Sequence, residues 1–169
     1  MLFAVAAVAA IAVAPAWTAE DEPPVFALVD TLIQTPPADH ATVERLTGAS
    51  LELDYSGYLD DYSAEDVKTG GAVTIKSILY REPVPGRGSL AGPLLLLEPG
   101  GACVTLAAVM ARYPGLSAAG DAVAHSDSEQ TYYSRAEDWG KLAFGFPGRA
   151  GRCLKSVSFT LHPKPPPQE

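Results

Sequence analysis

The chain has 169 residues and a formal charge of −8, from 20 acidic against 12 basic side chains. That length sets one domain, or two small ones, and the acidic balance excludes nucleic acid as a partner, because phosphate binding requires a basic footprint. Two cysteines are too few for a zinc ribbon, an iron–sulfur site or a disulfide-dense mini-protein.

Residues Met1 to Ala16 read MLFAVAAVAAIAVAPA and carry no charged side chain. The apolar run of about 15 residues is shorter than the ~20 that span a bilayer as a helix. It fits the h-region of a secretory signal peptide, and Ala14-Pro15-Ala16 offers small residues at the positions a signal peptidase reads. No Lys or Arg precedes the run, so either the amino group of Met1 serves alone or the start lies upstream. A buried N-terminal helix is the alternative. The expectation is a signal peptide over 1–16, a periplasmic or secreted protein, and no stable membrane span once the peptide is removed. No cysteine lies near the cleavage site, which argues against a lipid anchor there.

Export changes how the cysteines are read. In an oxidising compartment Cys103 and Cys153 form one disulfide, closing a loop worth about 4 kcal/mol in the chain-entropy model. Two free, buried thiols are the alternative.

Residues 17–24 form an acidic, Pro-containing flexible lead. In VFALVDTLIQ, Val25, Leu28, Val29, Leu32 and Ile33 share one helical face, and Pro36-Pro37 stops the helix. Asp39 caps a second short helix with Val43 and Leu46 inward and Gly48 at its end. From Leu51 the period becomes two: Leu51, Leu53 and Tyr55 share one face of a half-buried strand. Tyr58 to Gly71 reads as a long acidic connection, Ala72 to Arg81 as a strand, and Pro83 to Gly92 as a turn-rich loop. Leu94 to Leu97 is a short buried strand. In Thr105 to Tyr113, Leu106, Val109, Met110 and Tyr113 have helical spacing between a Thr cap and a Pro-Gly stop. Gly115 to Glu129 is loop. Thr131 to Ser134 and Gly140 to Phe146 are strands, the latter with Leu142, Phe144 and Phe146 inward. The last strand, Cys153 to Leu161, has Val157, Phe159 and Leu161 inward and Ser156, Ser158 and Thr160 outward. The Pro-rich tail 162–169 is expected to be disordered.

The order of these elements specifies an α+β fold: short helices packed on an antiparallel sheet, forming one domain over 25–161. The halves 25–98 and 103–161 share an outline, and VTIKSILYREP can be laid beside LKSVSFTLHP; a weak internal repeat is one reading, and the favoured alternative is that any two α+β halves look alike in outline.

The succession CVTLAAVMARYPG, TYY, GKLAFGF and LKSVSF resembles, in order, the SmpA/BamE-like and β-lactamase-inhibitor-protein-like domains. The resemblance covers 103–161, about a third of the chain, and extends faintly to 39–81. It implies one or two helices against a small antiparallel sheet. The chain departs from the BamE type in lacking a lipidation cysteine. It departs from the inhibitor protein, which has a disulfide in each repeat, in having a single cysteine pair in its second half.

Catalytic patterns are sparse. His40, His125 and His162 are far apart in sequence and form no H-x-x-x-H pair. His125-Ser126-Asp127 contains the residue types of a hydrolytic triad, but adjacent loop residues point apart, and no G-x-S-x-G elbow exists. Gly86 to Gly92 lacks the preceding strand and following helix of a dinucleotide loop. The acids Asp60, Asp61, Glu65 and Asp66 lack the spacing and central glycine of a calcium loop. No cofactor and no metal are therefore expected. Aromatic residues beside acids suggest a contact surface instead, since Tyr and Trp bury large area at low entropy cost. The candidate partner-binding residues are Tyr58, Asp60, Asp61, Tyr62, Tyr132 and Trp139. Core packing of one tyrosine per strand pair, and of the tryptophan, is the competing reading.

The expectation is thus an exported, non-catalytic envelope protein that binds another protein, one with a basic surface, in the manner of an inhibitor or immunity protein. The first alternative is an envelope assembly or scaffold factor. The second is a small exported hydrolase whose site is assembled from Glu98, Asp121 and His125.

Overall fold

In the computed structural model of the chain, residues 23–69, 73–87, 91–118, 130–148 and 152–163 are described. Residues 1–16, expected as a signal peptide, most of the lead 17–24, Asp121, His125 and most of the tail 162–169 lie outside them.

Two helices open the described chain. Helix α1, Pro24–Gln34, starts at a proline and buries Val25, Phe26, Leu28, Val29 and Leu32, the stripe set by the apolar spacing. Helix α2, His40–Thr47, is capped by Asp39, whose Oδ1 accepts the Thr42 N–H at 2.7 Å. It ends at Gly48 in the left-handed region, φ 73°, where glycine carries no Cβ penalty.

A four-strand meander follows: β1 Glu52–Ser56, β2 Leu59–Lys68, β3 Thr74–Pro83 and β4 Leu94–Pro99. Helix α3, Leu106–Arg112, begins at Thr105, whose hydroxyl accepts the Ala108 N–H. A second meander closes the chain: β5 Ser117–Ala118, β6 Gln130–Glu137, β7 Gly140–Pro147 and β8 Ser156–Leu161. All pairs are antiparallel, and the eight strands form one sheet in the order β1-β2-β3-β4-β8-β7-β6-β5. The last strands of the two meanders, β4 and β8, therefore meet at the centre, and β1 and β5 form the edges.

The helices cover one face. Tyr80, Leu95, Phe159 and Leu142 lie in one register row across β3, β4, β8 and β7, and Ile78, Leu97, Val157 and Phe144 lie in the next. All eight are buried. The Tyr80 hydroxyl donates to the carbonyl of Pro37, which anchors the α1–α2 connection. Tyr113, following α3, stacks on Phe144 at 4.9 Å and meets Phe26 of α1 edge-on at 5.5 Å. No described helix lies over the opposite face. Its central row runs Ser63, Leu79, Leu96, Ser158, Ala143, Ser134.

Cys103 and Cys153 are joined in a disulfide, with Cα atoms 4.9 Å apart. Beside it Thr105 bridges Cys153, and the Leu154 N–H donates to the Val104 carbonyl at 2.7 Å. The start of α3 is thereby tied to the approach to β8.

Four local expectations are corrected. Tyr58 to Gly71 is not a connection: most of it is β2. Tyr62, Ala64 and Val67 face the helices, while Asp61 is neutralised across the ladder by Arg81. The strand from Leu51 is not half-buried, because all five residues of β1 are exposed. A register shift between Leu53 and Tyr55 also puts these two side chains on opposite faces, as an extra residue in one strand does. Met110 is 40% exposed, and Ala108 takes the inward position beside Val109. Ser156, expected outward, is buried, its hydroxyl donating to Gln130 Oε1 at 2.6 Å.

Candidate functional site

The candidate contact residues fall on two wings of the sheet. Tyr58, Asp60, Asp61 and Tyr62 belong to the β1–β2 turn and β2. Tyr132 and Trp139 belong to β6 and the β6–β7 turn, with β3, β4, β8 and β7 between. Trp139 packs against the core, its ring stacked on Phe159 at 5.6 Å. Tyr132 lies half-buried on the open face, where a Cβ on Gly145 would meet its ring. Tyr58 is 75% exposed.

Successive residues of β2 point to opposite faces, which separates the two aspartates. On the open face Asp61 stands opposite Arg81 and accepts two bonds from it, from Nε at 2.6 Å and Nη2 at 2.7 Å. The guanidinium holds the Asp61 carboxyl below the usual aspartate range, and the carboxylate in turn raises Arg81. On the helix side Asp60 stands opposite Glu82, and Tyr62 opposite Tyr80. Glu82 Oε1 is 2.8 Å from His40 Nδ1, and its other oxygen accepts the His40 backbone N–H at 3.3 Å. The His40 ring stacks on Tyr62 at 4.4 Å. Burial raises both phenols above the ordinary tyrosine value, and the carboxylates of Glu82 and Asp60 add to the effect on Tyr62. One buried oxygen of Asp60 has no hydrogen-bond partner among the described residues.

An imidazole–carboxylate pair can relay a proton. Here Glu82 fastens both the ring and the backbone of His40, the first residue of α2, to β3. Of the residues set out for a hydrolase, Glu98 lies on β4 opposite Ser77; Asp121 and His125 lie outside the described residues. Among the described residues no group of three or more His, Cys, Asp or Glu side chains is placed to hold a metal ion. No helix among them is long and apolar enough to cross a membrane. Two open grooves flank the sheet. One, of about 520 Å³, runs beside β2 between Gly48, Ser50, Glu65 and Lys68. The other, of about 510 Å³, lies between Ser117, Ser134, Arg135 and Lys141.

Beside the candidate Tyr58, two further exposed apolar side chains lie where sequence reasoning placed a buried face. Leu53 is 54% and Tyr55 64% exposed, next to Tyr58 at the same end of the sheet. Glu52 and Asp54 alternate with them and form no ion pair with a described residue. The alternation of acidic and apolar residues was the available signal, but it reads equally as a half-buried strand. Comparison with protein-family models, curated proteins and solved structures finds no match to this chain.

Proposed function

We propose that this chain is an exported, non-catalytic protein that binds another protein, in the manner of an inhibitor or immunity protein, and that its partner presents a basic surface. One observation carries the reading: Leu53, Tyr55 and Tyr58 are exposed at one edge of the sheet, Leu53 on its helix side and Tyr55 on its open side, beside Glu52 and Asp54, which no described cation neutralises. Large apolar side chains left exposed on both faces of one edge strand, beside charge, suit an interaction site. Exposed tyrosines supply contact area at low entropy cost, and an acidic field speeds encounter with a cationic partner. The disulfide is compatible with an oxidising compartment.

The test is capture from an envelope fraction, with the chain as bait at low and at high salt. The expected result is a basic protein retained at low salt and released as salt rises. Hydrolysis of an ester, peptide or glycan substrate by the chain, with nothing captured, overturns the reading in favour of an enzyme. A captured partner whose activity is unchanged by the complex favours an assembly or scaffold role over inhibition.

A further inference from the structure

Strand β1 pairs with β2 on one side, and no described strand pairs with its other side. The opposite edge, β5, has two residues, whereas β1 has five, about 17 Å of backbone. Such an edge offers unpaired N–H and C=O groups to an incoming strand. The register shift sets Leu53 toward the helix side and Tyr55 toward the open side. An added strand alternates its side chains between the same two faces, so it meets an apolar contact on each. The β1–β2 turn is held in place, since Arg87 Nη1 donates to the Gly57 carbonyl at 2.9 Å and the Val84 N–H to that of Tyr58 at 3.2 Å.

Charge selects the occupant. Glu52 and Asp54 are the only charged residues of the strand Glu52–Ser56. Pairing with a second copy would set the acids of both copies a strand spacing apart, about 4.8 Å, with no cation on either strand. Like charges in facing strands repel, so the feature that blocks self-association admits a cationic strand. Resting on the protein-binding reading, we propose that β1 takes up an extended segment of its partner as a further strand of the sheet, and that this segment interleaves Lys or Arg with apolar residues.

The test uses the full chain and a fluorescent octapeptide alternating Lys and Val, followed by anisotropy at low salt and by amide hydrogen exchange. Saturable binding with exchange slowed at 52–56 is expected. The same peptide methylated at every backbone nitrogen should bind roughly tenfold more weakly or worse, because the ladder bonds are lost. The variant E52K/D54K should lose the Lys-Val peptide by a similar factor and gain a Glu-Val one. All five β1 residues are exposed, and circular dichroism confirms that the variant folds. Equal binding of the methylated peptide, or protection away from β1, overturns strand addition and leaves the protein-binding reading standing. Failure of every peptide overturns the proposal, whereas capture from the envelope fraction decides the wider reading separately. A wild-type dimer in sedimentation that Asp54→Pro dissociates overturns it in favour of self-pairing.

Discussion

Asp61 and Arg81 face each other across β2 and β3 and close a two-point ion pair on the open face of the sheet. Within the acidic stretch of β2, Asp61 thereby has its cation in register on the neighbouring strand. Asp61 binds a proton less readily in the folded chain than a free aspartate does at 3.8. Its contribution to stability is therefore complete above that value and disappears as the pH falls through the lower folded value. Arg81 is partly solvated, so the pair is worth no more than about 1 kcal/mol. Urea unfolding of wild type and Asp61→Asn should show that difference at neutral pH, and the difference should shrink as the pH is lowered below the ordinary aspartate value of 3.8. An equal difference at neutral and at acid pH would mean that the pair does not act through charge.

The disulfide acts on a different part of the fold. It closes a separation of 50 residues, for which the chain-entropy model gives about 4 kcal/mol. Replacing both cysteines by alanine should lower stability by that order and weaken the seating of α3 on the approach to β8. Peptide mapping without reductant should recover the Cys103 and Cys153 peptides linked. Two freely alkylated thiols in protein taken from the envelope would remove both the bridge and the case for export that leans on it.

Core truncations separate the inward residues from a misplaced one. Phe144 is fully buried beneath Tyr113, and Phe144→Ala should cost about 3–5 kcal/mol. Val109→Ala should cost about 1.5–3 kcal/mol. Met110 sits on the outer side of α3, so Met110→Ala should cost less than about 1 kcal/mol. Thermal or urea denaturation of the three variants ranks them, and a Met110 loss equal to that of Val109 would put the wrong face of α3 on the sheet.

The sequence made the helices and the central strands legible for local reasons. Asp39, Thr105 and Gly48 are end signals whose chemistry acts within one turn, and Leu142, Phe144 and Phe146 alternate with small or charged residues because their face of β7 packs into the core. What failed depended on neighbours distant in the chain. Asp61 looked like loop material until Arg81 stood opposite it. Ser156 looked exposed until Gln130 accepted its hydroxyl. Leu53 and Tyr55 looked like one buried face, because neither an edge position nor a one-residue register shift leaves a mark in residue type. The same limit scattered the candidate contact residues: Tyr58 and Trp139 both stand beside acids in the sequence but lie on different wings, one in solvent and one on the core.

That separation gives the functional variants different expected signatures. Glu52 and Asp54 act through the field they project, so reversing their charge should slow association with a basic partner, and the effect should fade as salt screens it. Tyr58 and Tyr55 act by direct burial, so Tyr58→Ala or Tyr55→Ala should leave the on-rate nearly unchanged and speed dissociation. Asp61 is already paired, and its reversal should cost stability through Arg81 before it changes encounter. Trp139→Ala should lower the denaturation midpoint through its lost stack on Phe159, with dissociation little changed. Surface plasmon resonance against the captured partner, run beside thermal denaturation of each variant, separates these effects. If Trp139→Ala speeds dissociation while Tyr55→Ala and Tyr58→Ala do not, the contact surface lies on the β6–β7 wing, and the exposed edge at β1 is not where the partner sits.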